Sequence, residues 1–420
     1  MFRILCIFAV LFTAGSAFSI EDVSLLPKGV RGVLVKSGWV TEVENKYSSN
    51  YQLSSLQYRV SQRVDANFIQ KIEPQFKQFV ETMDSSFPQY NIGSQVYLGD
   101  VIVEAEPEIQ FTAPIIGYGV TDRWTIGLAV PQINLEAAVK VEHVGANNIN
   151  EIFNSLPGNY QDHRGDLYSF SQRLQEAYSR LQNVSDLRAS IDKFLKDNDY
   201  QGLDSVSQKY LGDILVINRY LVYKSPSWRL MLRNHLNLPT GPADDPSNLL
   251  DLPIFNRTFL DTALVTQYNF GSFKFHNNLS VKYNLSDKSI KRVPRSDMDL
   301  FPSSDREENL DRKIGDSVKY EFNVQKSISD SWGASIGIVK EWKQKDYYSG
   351  NRNYNYNLLS RNTDMEQLQV QLSTSYHTLN QFTAKKFPIP LLVSYSYSDT
   401  VAGKNVERQS IHEINLGVVF

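Results

Sequence analysis

Three glutamates stand at alternate positions, Glu104, Glu106 and Glu108. On an extended chain that spacing puts them on one face, where carboxylates could share a proton for acid-base work or hold a metal. Crowded like charges raise at least one pKa, and neutralisation by nearby arginines is the more ordinary state. Two histidines, His235 and His276, could meet across strands, but two imidazoles without a placed third ligand make no metal site. Ser410 lies two residues before His412, a proximity that lacks the third group of a nucleophilic triad. The segment 288–313 carries Asp297, Asp299, Asp305, Glu307, Glu308 and Asp311. Oxygens at that density could hold Ca2+, yet the spacing fits no EF-hand loop, which favours a solvated acidic loop. No catalytic residue, metal or cofactor is expected.

The chain that must position these groups has 420 residues, with Tyr 23, Phe 22, Trp 5 and Cys 1. Its mean hydropathy is negative, and past residue 20 no stretch approaches the roughly 18 consecutive apolar residues of a spanning helix. Arg3, the apolar run Ile4 to Phe12 and the small residues Ala14 to Ser19 have the form of a secretory signal peptide. Cleavage there, placing the leader at 1–19, leaves residues 20–420 as one domain without cysteine, so neither a disulfide nor a thiolate metal site is available. A formal net charge of -3 gives no electrostatic footprint for nucleic acid.

Period-2 alternation recurs along the mature chain. Leu368, Val370, Leu372, Thr374 and Tyr376 alternate with Gln367, Gln369, Gln371, Ser373 and Ser375. Comparable segments fall at about 28–42, 100–117, 121–144, 209–224, 227–240, 256–270, 272–287, 314–328, 331–346, 363–379, 388–399 and 408–420. Most reach the roughly 9 to 11 residues that a tilted strand needs to cross a bilayer, where soluble strands peak near about 5 to 6. Short turns such as Phe270-Gly271-Ser272 alternate with long links at 43–99, 145–208, 241–255, 288–313 and 347–362. Aromatics including Trp39, Trp124, Trp228, Trp332 and Trp342 sit at the ends of apolar rows, as girdles do. A secreted β-sandwich would also alternate, with its apolar face as core. Strand length, the girdle and the loop asymmetry instead indicate an all-β, transmembrane antiparallel up-and-down barrel of about 12 strands, or 14 if 51–60 pairs. Helical spacing at about 61–85 and 165–198 adds insertions to two long extracellular loops, expected as a cap, with a plug in the lumen as the alternative.

With apolar residues turned to lipid, the lumen candidates are Glu104, Glu106, Glu108 and Glu136 on one wall and Arg219, Arg229, Arg233, His235, Lys274, His276, Lys282 and Lys319 opposite. This requires the third strand to shift phase at a bulge near Pro131. Two readings stand: the charges neutralise one another in a small lumen, or they set a transverse field across a constriction.

The chain ends with Ile414, Leu416, Val418 and Phe420 in one alternating row, which resembles the C-terminal signature that the barrel-assembly machinery of bacterial outer membranes recognises. His412 departs from the row. The stretch from Pro114 through Gly117, Gly119, Thr121, Asp122 and Trp124 to Pro131 resembles a hairpin of putative outer-membrane transporters, including the family associated with phenol-degradation pathways; Gly117 and Gly119 are read there as allowing the bend. The resemblance implies a bacterial outer-membrane location, with lipid and lipopolysaccharide as surroundings. The His-Asp-Ser-Asn-Gly run of outer-membrane phospholipases is absent. The function expected is a channel or diffusion transporter for small molecules, the solute unknown; alternatives are a surface binding or adhesion protein anchored by its barrel and, behind that, an outer-membrane hydrolase.

Overall fold

The computed structural model describes Val23 and residues 25–420 apart from 56–58, 73, 87, 90, 92, 155–163, 203–205, 250, 252–253, 297–298 and 300. The expected leader, 1–19, and Asp297 lie outside the described residues.

Twelve strands form the ring. They are β1 (Arg31–Tyr47), β2 (Tyr97–Thr121), β3 (Trp124–Ala129, continued by Gln132–Val144), β4 (Val206–Leu211, continued by Ile214–Lys224), β5 (Trp228–Leu238) and β6 (Phe259–Phe270). The second half comprises β7 (Phe273–Asn284), β8 (Ser317–Ser327), β9 (Trp332–Lys343), β10 (Met365–His377), β11 (Leu391–Lys404) and β12 (Val406–Val419). Each pairs antiparallel with the next, and β1 pairs with both β2 and β12, so the sheet closes on itself. Closure leaves no edge through the lipid-facing belt, which a bilayer demands because it offers no partner for a free N–H or C=O. The segment 51–60 does not enlarge the ring: Leu53–Ser55 adds to the end of β1, and Arg59–Asp65 pairs with the far end of β2.

Register fixes the two faces. Across β9, β10 and β11, Ile336, Leu372 and Tyr397 fall in line, as do Ile338, Val370 and Asp399. Leu372 is 47% exposed, whereas the intervening Gln367 and Gln369 are buried. Outer positions elsewhere include Leu264, Leu279, Ile336, Ile414 and Leu416, with Trp124, Trp228, Phe270 and Trp332 at the short-turn end. Burying these apolar rows in hydrocarbon is what the alternation is for. At the other rim Trp39 stacks on His412, ring centroids 5.1 Å apart, and the Tyr395 hydroxyl meets His412 Nδ1 at 2.8 Å. His412 therefore belongs to the outer aromatic girdle.

Strand β2, at 25 residues, is far longer than the membrane requires. Its outer row changes character along its length: Tyr118, Ile116 and Pro114 near the short turn give way to Thr112, Gln110 and Glu108. The inner row changes the opposite way. Ile109, Phe111, Ile133, Leu135, Val139 and Val141 form a buried apolar core with Leu174 of α4 (Arg164–Gln182) and Leu187, Ile191 and Leu195 of α5 (Val184–Asp197). Helices α1 (Ala66–Ile72) and α2 (Pro74–Ser86) contribute Ile69 and Val80 to the same core, and α3 (Ile149–Asn154) adds Ile152. Beyond the belt, β2 and β3 form a wall with water outside and helices inside.

Pro131 marks the join in β3 without shifting its phase. Ile115 pairs with Ala129 and Thr112 with Gln132 in one continuous frame, so the expected bulge does not form. The join in β4 is held by Asp213, whose two carboxylate oxygens accept from the backbone N–H groups of Gly241, Asn256 and Arg257 and from the Asn237 amide. A buried carboxylate with that many donors is satisfied without a cation.

Candidate lumen and its walls

The chain before β1 runs inside the short-turn end of the barrel. Val23, 2% exposed, packs with Leu221, Met231, Ala263 and Val265 of β4, β5 and β6, and Leu25 lies against the same cluster. Leu26 donates its backbone N–H to Thr125 Oγ1 at 3.0 Å. Gly29 donates to the Gly119 carbonyl and Gly119 to that of Val30. A side chain at Gly119 would collide with the Pro27 carbonyl, and one at Gly117 would press on Leu26. These glycines lie within β2 rather than at its turn, and what their size admits is this strap, not the bend read from the sequence.

Beside the strap the inner wall has two characters. Toward the short-turn end of β9, β10 and β11 it is uncharged and half-exposed: Ser335, Gln371, Ser373, Ser375, Ser394, Ser396 and Ser398. Ser335 is paired with Ser373 at 2.6 Å, and Ser373 stands opposite Ser396. On β4 to β7 the wall is basic, with Arg219, Lys224, Arg229, Arg233, Lys274 and Lys282 on inward positions. Arg233 bonds Asp261 at 2.8 Å, both deeply buried, and Lys282 Nζ rests 5.2 Å from the centre of the Phe259 ring. Between the walls, Lys319 pairs with Glu321, and Lys36 with Glu413 at 2.8 Å.

The basic residues expected in the lumen, Arg219, Arg229, Arg233, His235, Lys274, His276, Lys282 and Lys319, thus share the inner face. His235 stands opposite Asp261, and His276 opposite Gln267, so the histidines are staggered along the strands and do not meet. Of the expected acidic residues, Glu108 and Glu136 do not share that face. Glu108 and Glu136 stand opposite each other on the exposed outer side of the extension; Glu104 and Glu106 occupy the matching register positions, opposite Lys140 and Ala138. The expectation that apolar residues face lipid throughout fails above the belt, where they face the helices, and this reverses the wall. The acids found inside include Asp261, Glu321, Glu341, Glu407 and Glu413. No residue spacing marked them, because an acid in an alternating strand reads like any solvated one.

At the long-loop end a hairpin, Asp287–Arg292 with Glu307–Lys313, continues from β7 and β8 and packs on the loop at Asp244 and on the chain after α5 through Arg292. Arg312 binds Asp287 through two hydrogen bonds of 2.7 Å and Asp244 at 3.0 Å, and Lys291 reaches Asp244 at 2.9 Å. Burial alone would raise the Asp244 carboxyl, but Lys291, Arg312 and Arg257 outweigh it and hold the group down at about 2. Of the acidic loop, Asp311 pairs with Lys288, Glu307 with Arg292, and Glu308 accepts from Tyr356 and two backbone N–H groups. Among the described residues no group of three potential ligands converges as a metal site. Ser410 is bonded to Tyr397 and Asp399 and His412 to Tyr395, so the serine and histidine form no pair.

A closed twelve-stranded antiparallel ring, apolar outside and polar inside along the belt, defines a transmembrane up-and-down β-barrel. The sequence matches no family model and no curated protein. Among solved structures, the COG4313 outer membrane channel from Pseudomonas putida F1 superposes with a TM-score of 0.51 at 11% identity, covering 96% of this chain and 99% of that one. The Ralstonia pickettii toluene transporter TbuX gives 0.32 at 7%, covering 94% and 90%. The CymD monoaromatic hydrocarbon channel gives 0.31 at 10%, covering 94% and 89%. The first likeness shows that this chain shares the barrel fold.

Proposed function

We propose that this chain is an outer-membrane channel for small molecules. The observation that carries the reading is the half-exposed row of inward hydroxyls and amides on β9 to β11 beside the strap, because a lumen meant only to anchor has no use for a wetted polar path. The strap inside the short-turn end makes the path narrow, which suits a selective passage rather than a general pore. Outer-membrane residence fits the outward rows and the terminal Ile414, Leu416, Val418 and Phe420, which alternate on the outer side of β12 and suit recognition by the assembly machinery. The polar outer face of the β2–β3 extension would stand among lipopolysaccharide headgroups. Purified protein in planar bilayers should show discrete conductance steps, and removal of residues 20–27 should enlarge them; a protein that never conducts, strap or no strap, overturns the reading.

A second reading, a binding protein anchored by its barrel, draws on the Arg312–Asp244–Asp287 cluster that holds the hairpin at the long-loop end. It requires absent conductance and partner binding that is lost when 145–208 is deleted.

A further inference from the structure

On the hairpin of β4 and β5, Arg219 stands directly opposite Arg233, and Lys224 directly opposite Arg229, all on the inner face. Like charges opposite one another weaken a strand pair, so a wall that repeats the arrangement needs a compensating partner. Asp261 compensates Arg233. It is the one acidic residue on the inner positions of β4 to β7 among the described residues. Among the described residues, Arg219, Lys224, Arg229 and Lys274 have no hydrogen bond or ion pair to a side chain, and the Nε atoms of Arg219 and Arg229 are buried without an acceptor. Gln267 stands opposite Arg229 and Asn269 opposite Lys274, which sets neutral donors between the cations. Across the lumen, β9 to β11 bring hydroxyls and amides but no charge at the level of Ser335, Ser373 and Ser396.

We propose that Arg219, Lys224, Arg229 and Lys274 form an anion-binding track on the inner wall at the short-turn end, and that the solutes of this channel are small organic acids held by their carboxylate. Guanidinium groups grip a carboxylate through two parallel N–H donors, and rows of Arg and Lys select anions in pores. The serine face opposite offers hydrogen bonds to the remaining polar groups of such a solute without competing for its charge. Arg219 lies on one side of the patch that Val23 covers, and Lys224, Arg229 and Lys274 lie on the other, so an anion meets positive charge on either side of the strap. This inference rests on the channel reading and deepens it.

The test uses the full chain in planar bilayers under a KCl gradient and in liposomes with succinate, butanediol and putrescine, which differ in their end groups. The wild type should reverse at a potential on the chloride side and admit succinate faster than putrescine. The variant R219Q/R229Q/K274Q should lose about fivefold in succinate entry for each charge removed, the Coulomb effect of one cation on a carboxylate at about 4 Å in water, while butanediol entry is unchanged. R219K/R229K should keep the preference. A wild type that conducts with no preference, or prefers cations, overturns the track and leaves the channel standing. A wild type that conducts nothing overturns the channel; succinate retained in equilibrium dialysis by the wild type and lost in the triple variant would then still uphold the track, and no retention would sink it. If the triple variant does not fold, as judged by heat-modifiable migration, K274Q alone should show the same direction at about fivefold.

Discussion

The belt and the extension of β2 and β3 are built from the same zigzag with opposite polarity. Within the belt Ile116 and Leu128 face outward opposite each other, and the inner positions beside them are Gly117 and Gly127. A few residues on, at unchanged register, Glu108 and Glu136 face outward and Ile109 and Leu135 face inward. The backbone does nothing at the crossover. What changes is the medium on each side: hydrocarbon gives way to water outside, and the lumen gives way to α4 and α5 inside. Hydrophobic burial rewards whichever face is removed from water, so one strand can satisfy two solvents by exchanging the roles of its faces.

Substitutions on the two halves should break this symmetry in order. Leu135→Asp places a charge at a 2% exposed position in the apolar core beneath the helices, and should cost about 4 kcal/mol or more; limited proteolysis should then cut α4 and α5 while the belt strands stay protected. Asp244→Asn removes the shared acid of Arg312 and Lys291 and should cost about 3 kcal/mol, read as earlier loss of the hairpin in thermal melts. The same group predicts a pH effect. Its carboxyl is depressed from 3.8 to about 2, so its contribution is present above about pH 4 and is lost as pH falls toward about 2; hydrogen exchange at the hairpin amides should rise only in that window. Leu372→Arg, on the lipid face, should cost about 2 to 3 kcal/mol in urea-driven refolding into vesicles. Glu108→Val, an apolar gain on the outer face of the extension, should change stability by no more than about 0.5 kcal/mol. If instead it stabilises as an outward apolar residue in the belt would, the extension lies in lipid and the comparison fails.

Much of the barrel was legible because alternation and loop length are local. The rows of β10, the twelve segments and the short turns could be read directly, since a membrane strand must be long, two-faced and tightly connected on one side. The basic half of the lumen followed from the same alternation: Arg229, Arg233, His235, Lys274 and His276 lie on strands confined to the belt, where polar means inward. Glu108 and Glu136 turn outward because β2 and β3 leave the belt, and nothing in a period of two records where the bilayer stops. Gly117 and Gly119 carried a true signal of close approach, but the approaching chain was the strap at Leu26 and Pro27, some ninety residues earlier in sequence.

The sequence alone determined that this chain crosses the membrane as paired, two-faced strands with long connections on one side, because each residue's neighbour at two positions' distance shares its environment. Only the tertiary structure decided which environment that is: lipid for Leu372, helices for Leu135, the strap for Gly119. Period and composition distinguish one face from the other, whereas the identity of what covers each face depends on segments brought together by closure of the ring.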